Sequence, residues 1–202
     1  MHTQEIGMHK LTPGDLYSLE QYARMRDEFR QKVIAHKKIR QVAIGSNAAL
    51  YFEDRLTMQY QVQEMLRIER IFEPQGIAEE LEAYNPLIPD GSNWKATFMI
   101  EYPDIEERRV ALARLKGVED TVWVKVAGFD RVYAIADEDL ARSDADKTAS
   151  VHFLRFELTP AMARAVRGGA DVAAGIDHPE YRHVVDPIPR AIRDSLANDL
   201  SA

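Results

Sequence analysis

Trp94-Lys95-Ala96-Thr97-Phe98-Met99-Ile100-Glu101-Tyr102 is where the chain changes period. Trp94, Ala96, Phe98, Ile100 and Tyr102 fall on one face of an extended segment, and Lys95, Thr97, Met99 and Glu101 on the other. That alternation marks a strand with one buried side. Upstream, helical spacing dominates. Thr12-Pro13-Gly14-Asp15 offers a hydroxyl cap, a first-turn proline and an acid, and apolar residues recur at helical intervals from Leu16 to about His36. Residues 41–44 and 48–52, joined by Gly45-Ser46-Asn47, read as a hairpin. Helices are expected over 54–72 and 77–84, and an irregular stretch with two prolines over 85–93. Downstream, strands outnumber helices. Asp104 caps a helix to about 115, residues 121–126 and 131–136 form a hairpin, 142–150 a polar loop, 151–158 a strand. A helix beginning at Thr159-Pro160 stops at Gly168-Gly169. Residues 172–176 are the expected last strand and 190–200 a terminal helix. The class is α+β, one globular domain over residues 1–202, with a helical N-terminal half packed on a mostly antiparallel sheet formed by the C-terminal half.

Composition narrows the chemistry. The 202 residues carry a net charge of −7 and no cysteine. Disulfides, thiolate-bound metal, cysteine-ligated clusters and thiol catalysis are thereby removed. The acidic balance argues against a dedicated nucleic-acid binder. No apolar run approaches the ~20 residues that span a bilayer, and the N-terminal stretch shows no signal-peptide core. The expected location is the cytoplasm, with no membrane and no nucleic acid as partner. Dinucleotide and phosphate-loop glycine patterns, H-E-x-x-H and G-x-S-x-G are all missing.

Candidate metal ligands concentrate in Asp177-His178-Pro179-Glu180-Tyr181-Arg182-His183. Glu180 and His183 have the spacing that aligns carboxylate and imidazole on a helix; the alternative is a surface turn capped by Asp177. Over residues 54–72, Met58, Val62, Met65, Glu69 and Phe72 share one stripe, which makes Glu69 a lone charge in an apolar seam, either paired with a cation such as Arg155 or set up as acid, base or ligand. His152 shares a strand face with Leu154, Phe156 and Leu158, as a hydrogen-bonded core histidine or as a ligand. His36 and Glu53 extend this set. Carboxylate and imidazole ligands suit iron, manganese or zinc.

A second constellation is basic. Arg24, Arg26, Arg30, Lys32, Lys37, Lys38 and Arg40 face only two acids, Asp27 and Glu28, so this stretch is locally positive in a negative chain. His36, Lys37 and Lys38 suit a helix C-terminus. Arg30, Lys32, His36, Lys37, Lys38 and Arg40 are the candidate surface for an acidic partner or a small anion.

The runs Ile34-Ala-His-Lys-Lys38, Leu50-Tyr-Phe-Glu-Asp-Arg-Leu-Thr-Met-Gln-Tyr-Gln-Val-Gln-Glu-Met-Leu-Arg-Ile-Glu-Arg70 and Ala83-Tyr-Asn-Pro-Leu-Ile-Pro-Asp-Gly-Ser-Asn93 are similar to a bacterial family. So are Tyr133-Ala-Ile-Ala-Asp137, Val151-His-Phe-Leu-Arg-Phe-Glu157 and Gly175-Ile-Asp-His-Pro179. The family is the domain-of-unknown-function family numbered thirty-five hundred and one, and the resemblance runs from about Leu11 to Leu200. It implies a genetic neighbourhood that holds a rubrerythrin-like di-iron protein and an iron–sulfur oxidoreductase, and so an oxidative-stress setting; it assigns no catalytic residue. The expectation is a non-catalytic accessory of an iron-dependent redox system, able to form a homo-oligomer. The alternative is a metalloenzyme that uses the carboxylates and histidines above with iron or another transition metal.

Overall fold

The computed structural model describes residues 9–140, 142–143 and 146–201. Residues 1–8 of the N-terminal stretch and residues 144–145 of the polar loop lie outside them. The elements in chain order are α1 (Leu19–Lys38), β1 (Gln41–Ala43), β2 (Ala48–Glu53), α2 (Arg55–Glu69), α3 (Pro74–Tyr84), β3 (Asn93–Ile100), α4 (Ile105–Arg114), β4 (Val122–Val126), β5 (Arg131–Tyr133), β6 (Ile135–Ala136), β7 (Val151–Glu157), α5 (Pro160–Arg167), β8 (Val172–His178), β9 (Tyr181–Val185) and α6 (Arg190–Ala197). The protein is α+β.

The helices start where side chains can hold their first amides. Thr12-Pro13 caps only a short 3-10 turn, Pro13–Asp15; α1 begins after Ser18, whose hydroxyl accepts from the Gln21 amide. Asp54 caps α2 through the Thr57 amide and Asp104 caps α4 through the Glu107 amide. Pro74 does not merely halt α2; it is the first residue of α3, where its missing N–H costs nothing.

The strands divide between two sheets, all pairings antiparallel. One has the order β1-β2-β3-β7-β6 and the other β5-β4-β8-β9. The N-terminal hairpin thus joins strands from later in the chain, with Ala48 to Glu53 of β2 paired against Ile100 to Lys95 of β3. Trp94, Ala96, Phe98 and Ile100 point into the core as the alternation predicts. So do Leu154 and Phe156 of β7 and Val122, Val124, Val126, Val172, Ala174 and Ile176 of the smaller sheet, in one cluster that Met162, Val166, Ile192 and Leu196 of α5 and α6 complete. The second strand expected over 131–136 is split. Tyr133 pairs with Trp123 in the small sheet and Ile135 with Arg155 in the large one, so the chain changes sheets at Ala134.

Residues 172–176 are not the last strand. The chain turns at Pro179-Glu180 and returns as β9, with His178 opposite Tyr181. β9 is an edge strand whose Arg182, His183 and Val184 are exposed, so burial imposes no alternation to betray it. Gly45 makes the β1–β2 turn at φ 74°, and a Cβ there would meet the His183 ring at 2.8 Å and the Tyr181 hydroxyl. Among the described residues no helix is long and apolar enough to cross a membrane.

Candidate functional site

The basic stretch ends in a polar cavity of about 350 Å³ lined by α1, the start of α2 and the end of α6. Lys32 and His36 reach it from α1, Asp54, Arg55 and Gln59 from the start of α2, and Ser195, Asn198 and Asp199 from the C-terminus. Its floor is Arg40, only 2% exposed. Arg40 Nη2 donates to Asp199 Oδ2 at 2.5 Å and to the Glu53 carbonyl at 3.1 Å, Nε to the Phe52 carbonyl at 3.0 Å, and Nη1 to Ser195 Oγ at 3.2 Å. Arg40 is therefore corrected from docking surface to buried anchor. The chain leaves α1 at Lys38, and Arg40, just ahead of β1, turns inward to satisfy carbonyls at the end of β2.

The charges are mutually fixed. Burial pulls the Arg40 guanidinium down, yet Asp199 and Asp54 hold it above its ordinary range. Burial pushes the Asp199 carboxyl up to about 6 against the pull of Arg40. Burial also pushes Asp54 up, but His36 and Arg40 outweigh it and hold Asp54 low. Asp54 divides its oxygens between two tasks. Oδ1 accepts from the Thr57 amide at 2.9 Å, while Oδ2 lies 2.5 Å from His36 Nε2 and 3.5 Å from Arg40 Nε. Arg55 is held by Asp15 Oδ1 at 2.5 Å. Lys32 has no hydrogen bond or ion pair among the described residues and is exposed at the mouth. The arrangement offers positive donors at a rim and a rigid, neutralised floor. It aligns no nucleophile with a base: Ser195 Oγ faces a guanidinium, and His36 is bound to a carboxylate.

The rest of the basic stretch divides. Arg26 is taken by Glu64, which its guanidinium holds down to about 2, and Lys37 sits 5.9 Å from the Tyr60 ring. Arg30 and Lys38 are exposed and have no partner among the described residues.

The six expected metal ligands do not come together. Glu69 is the exposed last residue of α2, and the buried stripe of that helix is Met58, Val62 and Leu66 instead, with Phe72 66% exposed. Nor does Glu69 meet Arg155, which is paired with Glu138 and Glu157. Asp177 caps no turn; it accepts from Arg131 at 2.5 Å and Tyr133 at 2.9 Å. His178 Nδ1 accepts from the Glu180 amide at 3.2 Å and Nε2 donates to the Lys116 carbonyl at 3.2 Å, so both nitrogens are spent. Glu180 is in the β8–β9 turn and His183 lies on β9, its ring tilted 57° against Tyr181 at 4.5 Å, so their helical spacing has no helix to act on. Glu53 Oε1 accepts from the Thr97 hydroxyl at 2.7 Å. Among the described residues no three histidine, aspartate or glutamate side chains are placed to hold a metal ion.

His152 is the core histidine of the two readings, fully buried beneath the large sheet. Its partners were invisible in sequence. Nδ1 lies 2.6 Å from Asp137 Oδ2, and Nε2 2.9 Å from Thr148 Oγ1 and 3.1 Å from the Ala149 carbonyl. Thr148 and Ser143 in turn donate to Glu119 at 2.9 and 2.5 Å. The ring thus ties Asp137, just after β6, and Thr148 and Ala149, just before β7, to the sheet. Asp54, Ser195 and Asp199, the other residues that sequence reasoning missed, left one signal: Asp54 stands at a helix start with Thr57 three residues on.

The family described as "Protein of unknown function (DUF3501)" matches residues 10–200. A crystal structure of a novel protein of unknown function from Burkholderia pseudomallei is similar at a TM-score of 0.91 and 51% identity, over 96% of this chain and 100% of that one. No curated protein matches. A match over nearly every described residue, in sequence and in fold, places the chain in this family: it belongs to the DUF3501 proteins.

Proposed function

We propose that this protein is a binding protein without catalytic machinery of its own, which docks an acidic protein surface against the outer side of α1. The observation that carries the reading is the stripe Arg30, Ile34 and Lys38 at four-residue spacing along α1, all exposed, its two cations without partners among the described residues, with Lys32 further round the helix at the cavity mouth. Cations on either side of an exposed isoleucine attract an acidic partner surface and leave it an apolar contact. The cavity behind Lys32 gives that partner a place to insert a carboxylate. The family resemblance names the partners to try, a rubrerythrin-like di-iron protein and an iron–sulfur oxidoreductase, and with them a cytoplasmic oxidative-stress setting.

The test is co-purification of tagged protein with either neighbour from native cells under reversible crosslinking, at low and at high salt. The expected result is capture of one of them, weakened by salt and lost in a Lys32→Glu/Lys38→Glu variant. Recovery of neither neighbour from the wild type at low salt overturns the reading.

A further inference from the structure

Lys95 lies on the opposite side of β3 from the core. Its cross-strand neighbour on β7 is Arg155, and two cations placed directly opposite one another repel. The repulsion is relieved on one side only. Arg155 donates Nε and Nη2 to Glu138 at 2.8 Å each and also binds Glu157. On the other flank Glu53 stands opposite Lys95 on β2, but Glu53 is committed to Thr97. Lys95 is left half-buried with no hydrogen bond or ion pair among the described residues.

Above it is a cavity of about 100 Å³, walled by Pro86, Leu87 and Phe153 and closed at the side by Glu138 and Arg155. It has room for a few water-sized groups. Burial first, and Arg155 second, lower the pKa of the Lys95 ammonium and outweigh the opposing carboxylates of Glu138, Asp90 and Glu157, which favours the free amine. Glu138 and Asp139 at the same wall disfavour an anion. An amine without a partner, beside an arginine and under apolar cover, has the environment of an amine nucleophile toward carbonyl groups.

We infer that Lys95 captures a small, uncharged aldehyde or ketone in this cavity as a reversible imine. The Nζ lone pair forms the C–N bond, giving a carbinolamine. The carbonyl oxygen then departs as water after proton transfers with solvent, so amine plus carbonyl gives imine plus water with no change of oxidation state.

The test uses the full chain, propanal as the probe and cyanoborohydride to fix the imine, with peptide mapping by mass spectrometry. At limiting aldehyde, Lys95 is expected to gain the propyl group several-fold faster than exposed Lys38, with a labelling midpoint at lower pH. Lys95→Arg removes that fast site. Leu87→Trp, which fills the cavity, slows Lys95 and leaves Lys38 unchanged; Ala83→Leu serves the same purpose if Leu87→Trp fails to fold. Labelling of Lys95 no faster than Lys38, or unaffected by filling the cavity in a folded variant, overturns the inference.

Discussion

At the scale of single residues, two tryptophans of equal burial have unequal obligations. Trp94 is fully buried and its Nε1 donates to the Leu196 carbonyl at 3.0 Å. Trp123 is 2% exposed, lies in the notch left by Gly175 under the Arg131 guanidinium 4.1 Å away, and its Nε1 has no acceptor among the described residues. A buried donor without a partner gives nothing back for its lost hydration. Trp94→Phe should therefore cost about 1 kcal/mol more than Trp123→Phe, read from urea-denaturation midpoints. Arg40 obeys the same rule with a full charge. Arg40→Ala strands the buried Asp199 carboxylate and should cost about 3–5 kcal/mol at neutral pH, a loss that shrinks on acidification as Asp199 takes up a proton.

At the scale of elements, Asp54 shows how a cap and an ion-pair partner combine in one side chain. Asp54→Asn keeps an oxygen for the Thr57 amide and loses the charge facing His36 and Arg40; Asp54→Ala loses both. The second variant should be less stable than the first by about 1 kcal/mol, the usual worth of a cap, in the same denaturation assay. Gly45→Ala should also destabilise, since the turn needs φ 74° and the His183 ring occupies the space. The elements that could be read from sequence were those whose cause is local. β3 announced itself by alternation, α4 by Asp104 and α5 by Thr159-Pro160. β9 escaped because an exposed edge strand has no pattern to show, and Glu69 misled because a helical stripe says which residues align and not where the helix end leaves the protein.

For the whole molecule, pH separates two carboxylates. Asp199 has a folded pKa of about 6 against about 3.9 unfolded. Between those values the folded chain holds more protons, so this group's contribution is complete below pH ~4 and declines as pH rises toward 6. Glu64, at about 2 folded and about 4.3 unfolded, works the other way, complete above pH ~4 and lost as pH falls toward 2. Stability measured across this range should fall less steeply above pH 4 in Asp199→Asn and less steeply below pH 4 in Glu64→Gln, the rest of the acid-side fall coming from other carboxylates held low, Asp15, Asp54, Asp90, Glu138, Asp139 and Asp194. The candidate site was half legible: Lys32 and His36 were marked by local charge density, whereas Asp199 is 159 positions from Arg40, and no local pattern spans that distance.

That separation has a temporal meaning. On the ribosome, Arg40 emerges 159 positions ahead of Asp199, so its nearest carboxylate, at 2.5 Å, is the last of its partners to be made. Leu200 and Ser201 follow Asp199 into position, Ser201 donating its amide to the Gly91 carbonyl at 2.8 Å. Every strand precedes Asp199 in the chain, so until it arrives Asp54, 3.5 Å from Nε, is the carboxylate that faces the buried guanidinium.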